Sequence, residues 1–264
     1  MSERDFSGRL RQWRMQRGLS QLALAGEADI SQRHLSYLER GHSEPSREMV
    51  NRLARALNLP FRQHNALLLA AGFAPVWQQQ DLSAPELVQV GRALDLMLEQ
   101  QEPFPAVVVD RQWNLIKANH GAVRLVDFLA GPITPGAAIN LADALVAPDV
   151  LRPHLANWPE VVRYFIRSVE DDAAADGNVE TTTLLDRLLS YEGVRDVMAA
   201  PETSVDTVLP VLPMNFVKHG TSVSLFTAIT TLGTPQHVTL QELRVESFFP
   251  HDAETDTLMR NWAA

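Results

Sequence analysis

Apolar positions recur at helical spacing through residues 6–72. Phe6, Leu10 and Trp13 lie four and three apart and predict a helix over 6–17 that Gly18 stops. Ser20 is placed to cap a second helix, 21–28, with Leu22, Leu24 and Ala25 inward. Asp29 and Ile30 make a tight turn into a third. That helix has Ser31 as its cap, Leu35 and Leu38 on one face, and Gly41 as its stop. A fourth starts after Pro45 at Ser46, with Met49, Leu53 and Leu57 inward, and a fifth runs from Pro60 to Ala71 ahead of Gly72. Short helices with short connections make a compact bundle.

The pattern lapses over 74–84, where Pro75 and three successive glutamines read as a linker between a domain at 1–73 and another at 85–264. Helical spacing returns over 85–101 through Leu87, Val90, Leu94, Met97 and Leu98. Two brief strands follow, 104–109 and 113–118, joined by a turn at Asp110-Arg111-Gln112, and Asn119-His120 opens a helix. Residues 140–200 read as mostly helical, and Trp158, Val161, Val162, Phe165 and Val169 share one apolar face that a core would use. Strands are expected at 208–218 and 222–232, bridged by His219-Gly220-Thr221. A third run, 238–249, loses its phase between Leu240 and Leu243, which implies a bulge or a helical insert. A short helix, 253–262, ends the chain. The fold class is α+β, mainly α: a five-helix bundle followed by an α/β domain.

At 264 residues, 45% hydrophobic and 21% charged, the chain is long enough for two packed domains. It has no cysteine, so disulfides and thiolate metal sites are excluded. The absence of a long apolar run and the polar residues 1–15 predict no membrane span, no signal peptide and a cytoplasmic protein. The net charge of -9 argues against a polyanionic partner, but it is unevenly spread. Residues 1–73 hold 11 Lys+Arg against 7 Asp+Glu, whereas the other 191 hold 12 against 25. A basic N-terminal part and an acidic remainder suggest two different partners.

Outside its buried face, the third helix carries Gln32, Arg33, His34, Tyr37 and Arg40, side chains suited to base edges and phosphates. Arg14, Gly18-Leu19-Ser20-Gln21, Leu24-Ala25, Ile30-Ser31, Leu35-Ser36, Glu39-Arg40-Gly41, Pro45-Ser46, Leu53-Ala54 and Leu57, in that order, resemble the Xre/phage-repressor (lambda-repressor-like) helix-turn-helix domain. The resemblance implies that the helix after Ser31 lies in the major groove of double-stranded DNA. Gln32, Arg33 and Tyr37 would then face base edges, with Gln21, His34 and Arg40 near phosphates or the groove wall and Ser31 at the helix start. It also implies a structural pair between Arg14 and Glu39. The turn before Ile30 commonly holds glycine; here it is Asp29, which tolerates positive φ.

Two strands, a tight turn and an asparagine leading into a helix resemble the opening of a PAS-like fold. Pro103-Phe104-Pro105-Ala106, Asp110-Arg111-Gln112-Trp113-Asn114, Ala118-Asn119, Asn157-Trp158, Gly233-Thr234-Pro235, Glu242-Leu243-Arg244 and Glu246-Ser247-Phe248-Phe249-Pro250 extend the likeness over 85–258. Together they are similar to the MmyB-like ligand-binding domain found behind Xre helix-turn-helix domains. That similarity implies a PAS-like sheet wrapped by helices around an apolar pocket, and a small hydrophobic ligand, fatty-acid-like first of all. Candidate pocket residues are Val108, Trp113, Ile116, Asn119, Trp158, Val162, Arg163, Phe165 and Phe226, and either Arg163 or Arg167 could hold a ligand carboxylate through its guanidinium fork.

No phosphate-cradling glycine loop, GxSxG or HExxH occurs, and the histidines are dispersed. The expectation is therefore a non-enzymatic protein without cofactor or metal. It would be a homodimeric, ligand-responsive regulator on an inverted-repeat operator. The alternative is an antitoxin-like DNA binder whose second domain grips a protein.

Overall fold

The computed structural model describes residues 5–132, 134, 136–201 and 210–264. The chain divides into two compact units; the first runs to Gln80 and includes Asp172–Asn178 and Pro235–Gln241, and the second takes the remainder. Among the described residues no helix is long and apolar enough to cross a membrane.

The first unit contains α1 (Phe6–Gln16), α2 (Gln21–Glu27), α3 (Gln32–Glu39), α4 (Arg47–Ala56) and α5 (Phe61–Ala70). Three of these start on serine caps: the hydroxyls of Ser20, Ser31 and Ser46 accept from the backbone N–H groups of Ala23, His34 and Met49 at 3.1, 3.2 and 3.2 Å. Asp29 sits at φ 50° and so makes the left-handed turn into α3 without glycine. Leu10, Leu24, Leu35, Leu38, Leu53, Leu67 and Leu68 fill the core.

Two inward positions differ from expectation. Leu22 is 66% exposed, because it lies about 200° around the helix from Leu24 and so faces the other way. Ala28 takes the third core place. On α4 the buried stripe is Val50, Leu53, Ala54 and Leu57, and Met49 lies at its flank. Residues 74–77 are fastened to α5. Asn65 Oδ1 accepts from the Val76 and Trp77 N–H groups at 2.9 and 3.2 Å, and its amide donates to the Trp77 carbonyl at 2.7 Å. The Trp77 ring stacks on Phe61 at 4.7 Å.

The remaining elements are α6 (Val88–Gln100), β1 (Ala106–Val109), β2 (Leu115–Ala118), α7 (His120–Ala130), α8 (Leu141–Val146), α9 (Trp158–Asp176), α10 (Val179–Ser190), α11 (Val194–Ala199), β3 (Met214–Lys218), β4 (Thr221–Thr230), α12 (Val238–Glu242), β5 (Arg244–Pro250) and α13 (Ala253–Ala263). The strands form one antiparallel sheet in the order β2-β1-β5-β4-β3. The chain is thus mainly helical, with a five-stranded sheet in its C-terminal part.

β3 and β4 form a hairpin closed by His219 and Gly220 at φ 50° and 80°; this handedness matches the twist of paired strands. The expected start of that run, at 208 and 209, lies outside the described residues. The phase slip in the third run resolves as a helical insert, α12, ahead of β5.

Asn119 frames the sheet. Its Oδ1 accepts from Ala106 and Ala122 N–H, both at 2.9 Å, and its amide donates to the Leu98 and Phe104 carbonyls at 3.2 and 2.8 Å. One side chain therefore joins the end of α6, the start of β1 and the first turn of α7. Gly121 lets α7 come close to the preceding loop: a Cβ there would meet the Pro103 carbonyl oxygen at 2.6 Å.

Candidate functional site

The polar face of α3 is ordered by its own side chains. Arg33 Nε and Nη2 donate to the Tyr37 hydroxyl at 3.2 and 3.1 Å. Both Arg33 and Arg40 hold their guanidinium carbons 5.4 Å from the Tyr37 ring centroid, so two cations lie against one phenol. Arg40 Nε also donates to the Ser36 carbonyl at 3.1 Å. Ser31, Gln32, Arg33 and Arg40 are exposed; His34 and Tyr37 are half-buried.

Behind this face an ion pair fixes α3 to α1. Arg14 Nε and Nη2 donate to the two Glu39 oxygens at 2.6 and 3.0 Å, and Arg14 Nη1 donates to the Leu19 carbonyl at 2.8 Å. Gln21 adds a third donor to Glu39 at 2.7 Å. Burial by itself would raise the Glu39 carboxyl. The hydrogen bonds from Arg14 and Gln21, with the charges of Arg14 and Arg11, outweigh it and hold the group below the usual carboxylate range. The α2–α3 turn is clamped from α4: Arg52 donates to the Ala28 carbonyl, to the Asp29 carbonyl and to the Asp29 carboxylate. Sequence reasoning missed Arg52. Its signal is an arginine on α4 that is not needed for the buried stripe.

The second unit holds a cavity, open on one side, of about 490 Å³, within the ~300–1,000 Å³ of small-molecule sites. Val107, Phe216, Phe226 and Phe248 line it from the sheet, and Leu125, Leu129, Val161 and Phe165 from the helices. Its polar wall is short: Tyr164, Ser168, Thr227 and Glu246. Burial pushes the Glu246 carboxyl up to about 7, against the opposing Thr227 hydroxyl, which donates to it, and the charge of Arg244.

Trp113 also lines the cavity, in a conformation that costs energy. Its φ is 64°, a region that bulky residues rarely occupy and that held strain explains. The turn fixes it there: Asp110 Oδ1 accepts from Gln112 and Asn114 N–H at 2.9 Å each, and Leu141 N–H donates to the Trp113 carbonyl at 2.9 Å. Phe165 meets the indole edge-on at 4.8 Å, and the Arg244 guanidinium lies 5.7 Å from its ring.

Comparison with family models matches both parts of the chain. A helix-turn-helix model covers residues 10–63, and the model described as MmyB-like transcription regulator ligand binding domain covers residues 90–261. The chain belongs to the MmyB-like transcription regulators. With its helix-turn-helix, it is a DNA-binding transcription regulator. A comparison with curated proteins found no match.

Of the residues proposed from sequence for the regulator's pocket, Trp113, Phe165 and Phe226 line the cavity. The other six lie elsewhere, each for a local reason. Val108 is fully buried but alternates with Val107 on β1, so the pleat turns it to the opposite face. Ile116 is 38% exposed on β2, at the sheet edge. Asn119 is held by its four hydrogen bonds. Trp158 donates its indole N–H to the Leu145 carbonyl at 3.0 Å under the Arg152 guanidinium, and Val162 is core. Arg163 donates to the Ala200 carbonyl at 2.8 Å.

On the DNA side Gln32, Arg33, His34 and Tyr37 are brought together on α3, with Ser31 at its head and Arg40 at its end. Gln21 lies at the start of α2 with its amide on Glu39. Sequence reasoning missed Glu246 because the phase slip before β5 hid which of its residues point inward.

Proposed function

We propose that the regulator is a homodimer that reads an inverted-repeat operator through α3, with its grip on DNA set by a small apolar ligand in the cavity. Arg33, Gln32 and Tyr37 meet base edges; Gln21, Ser31, His34 and Arg40 sit at phosphates or the groove wall. Trp113, Phe165 and Phe226 contact the ligand, for which a fatty-acid-like chain is the leading class. The domains run 1–73 and 85–264, the second PAS-like, and the protein acts in the cytoplasm, where DNA is.

One observation carries the ligand half: the cavity is apolar, of small-molecule size and built into the unit that follows the DNA reader in sequence. An antitoxin-like partner grip would call instead for a large exposed apolar patch.

Sequencing random duplexes selected on the purified protein tests the DNA half. The expected result is an inverted repeat with half-sites about 10 base pairs apart, bound by two copies. Enrichment of a lone half-site by a monomer would overturn the dimer. The selected duplex is then titrated with and without saturating 1-dodecanol or dodecanoate. An affinity unmoved by either removes the coupling.

A further inference from the structure

Glu246 is set apart in the cavity wall. Among the described lining residues it is the only aspartate, glutamate, lysine, arginine or histidine. It stands on β5, directly opposite Val107 of β1 and Ile229 of β4, both apolar. Thr227 of β4 reaches it with a hydroxyl. From α9 the wall supplies Tyr164, Phe165 and Ser168, none of them charged. Arg244, two residues back on the same strand, acts on the carboxyl electrostatically but is not part of the lining. Among the described lining residues, an apolar ligand with a polar head therefore finds one strong acceptor and no cationic side chain. A bare carboxylate beside Glu246 would place two like charges side by side, which one shared proton relieves.

We propose that Glu246 anchors the ligand's head group, and that the cavity takes an apolar chain ending in a hydrogen-bond donor: an alcohol, an amine or a protonated acid, never a carboxylate ion alone. The inference rests on the ligand-sensing reading above and adds the head-group class and its proton. A long-chain acid then binds with one proton held between its carboxyl and Glu246. An alcohol donates to the glutamate directly and needs no added proton. Since burial raises Glu246 to about 7, the acid must take up a proton from solution above that pH.

Calorimetric titration of the full-length protein with dodecanoate and with 1-dodecanol, at pH 6.5, 7.5 and 8.5, tests this. Dodecanoate affinity should fall about tenfold between pH 7.5 and 8.5, one proton per ligand, while dodecanol affinity moves less than about threefold. In Glu246→Gln the amide donates without a proton, so dodecanoate binding should become independent of pH. Retained dodecanol binding shows that the cavity still forms. A pH-flat dodecanoate affinity in the unaltered protein, or a slope that survives in Glu246→Gln, overturns the anchor and leaves the apolar cavity standing. Binding of neither compound overturns the ligand reading and the anchor with it.

Discussion

Removing Arg14 alone should destabilise the helix-turn-helix unit more than removing Arg14 and Glu39 together. Their side chains are 12% and 2% exposed, so Arg14→Met strands a carboxylate in a nearly dry site with Gln21 as its remaining named donor. Orphaning one member of a fully buried pair costs about 3–5 kcal/mol. Arg14 keeps some contact with water, which lowers the expectation to about 2–3 kcal/mol. For a unit of this size that is about 10–20 °C in melting temperature. In Arg14→Met with Glu39→Leu no charge is stranded, and the loss should shrink to about 1 kcal/mol, mainly the vacated Leu19 carbonyl. Calorimetric melting of the full-length variants, with hydrogen exchange of α1–α3 peptides to assign the transition, gives the numbers. Single-variant losses that simply add, within about 0.5 kcal/mol, would refute the stranded-charge account.

Arg33→Ala should cost about 1–3 kcal/mol on the selected operator and relax preference at one base pair, measured by mobility shift against single-base variants. An equal loss on random duplex would assign Arg33 to phosphate. His64, lowered to about 4 by burial and by the charge of Arg55, is neutral in the folded unit and takes up a proton on unfolding below its ordinary 6.5. Its contribution is therefore complete above 6.5 and lost as pH falls toward 4. A His64→Gln variant should show a shallower loss of stability over that window in urea titrations. Gly121→Ala drives a methyl into the backbone of Pro103 and Phe104 and should cost about 1–3 kcal/mol. An unchanged melting temperature would mean that the loop yields freely.

The DNA-reading half was largely legible in sequence because local signals coincide there. Ser20, Ser31 and Ser46 mark helix starts and act as caps, and Asp29 sits at the positive φ that its small polar side chain permits. The long-range Arg14–Glu39 contact was readable only through the family likeness, since nothing local links residues 25 apart. The cavity was less legible. Its wall draws on β1, β4, β5, α7 and α9, and which face a short strand turns inward depends on register. On β1 it is Val107, not Val108, that faces the cavity. Glu246 was hidden for the same reason: the α12 insert breaks the alternation just before it.

Asn119 has a consequence for how such regulators diverge. Its amide uses both ends at once, two acceptances on one side and two donations on the other. An aspartate would turn the donations into repulsion, and an alanine would remove all four hydrogen bonds at once. The position has essentially one solution. The walls of the cavity obey a looser rule, because Leu125, Phe226 or Ile229 must only be apolar and leave room. Drift across relatives should therefore accumulate in the lining and not in the frame. Such a lineage can acquire a new chemical vocabulary by altering a handful of wall residues while the frame around Asn119 stays the same.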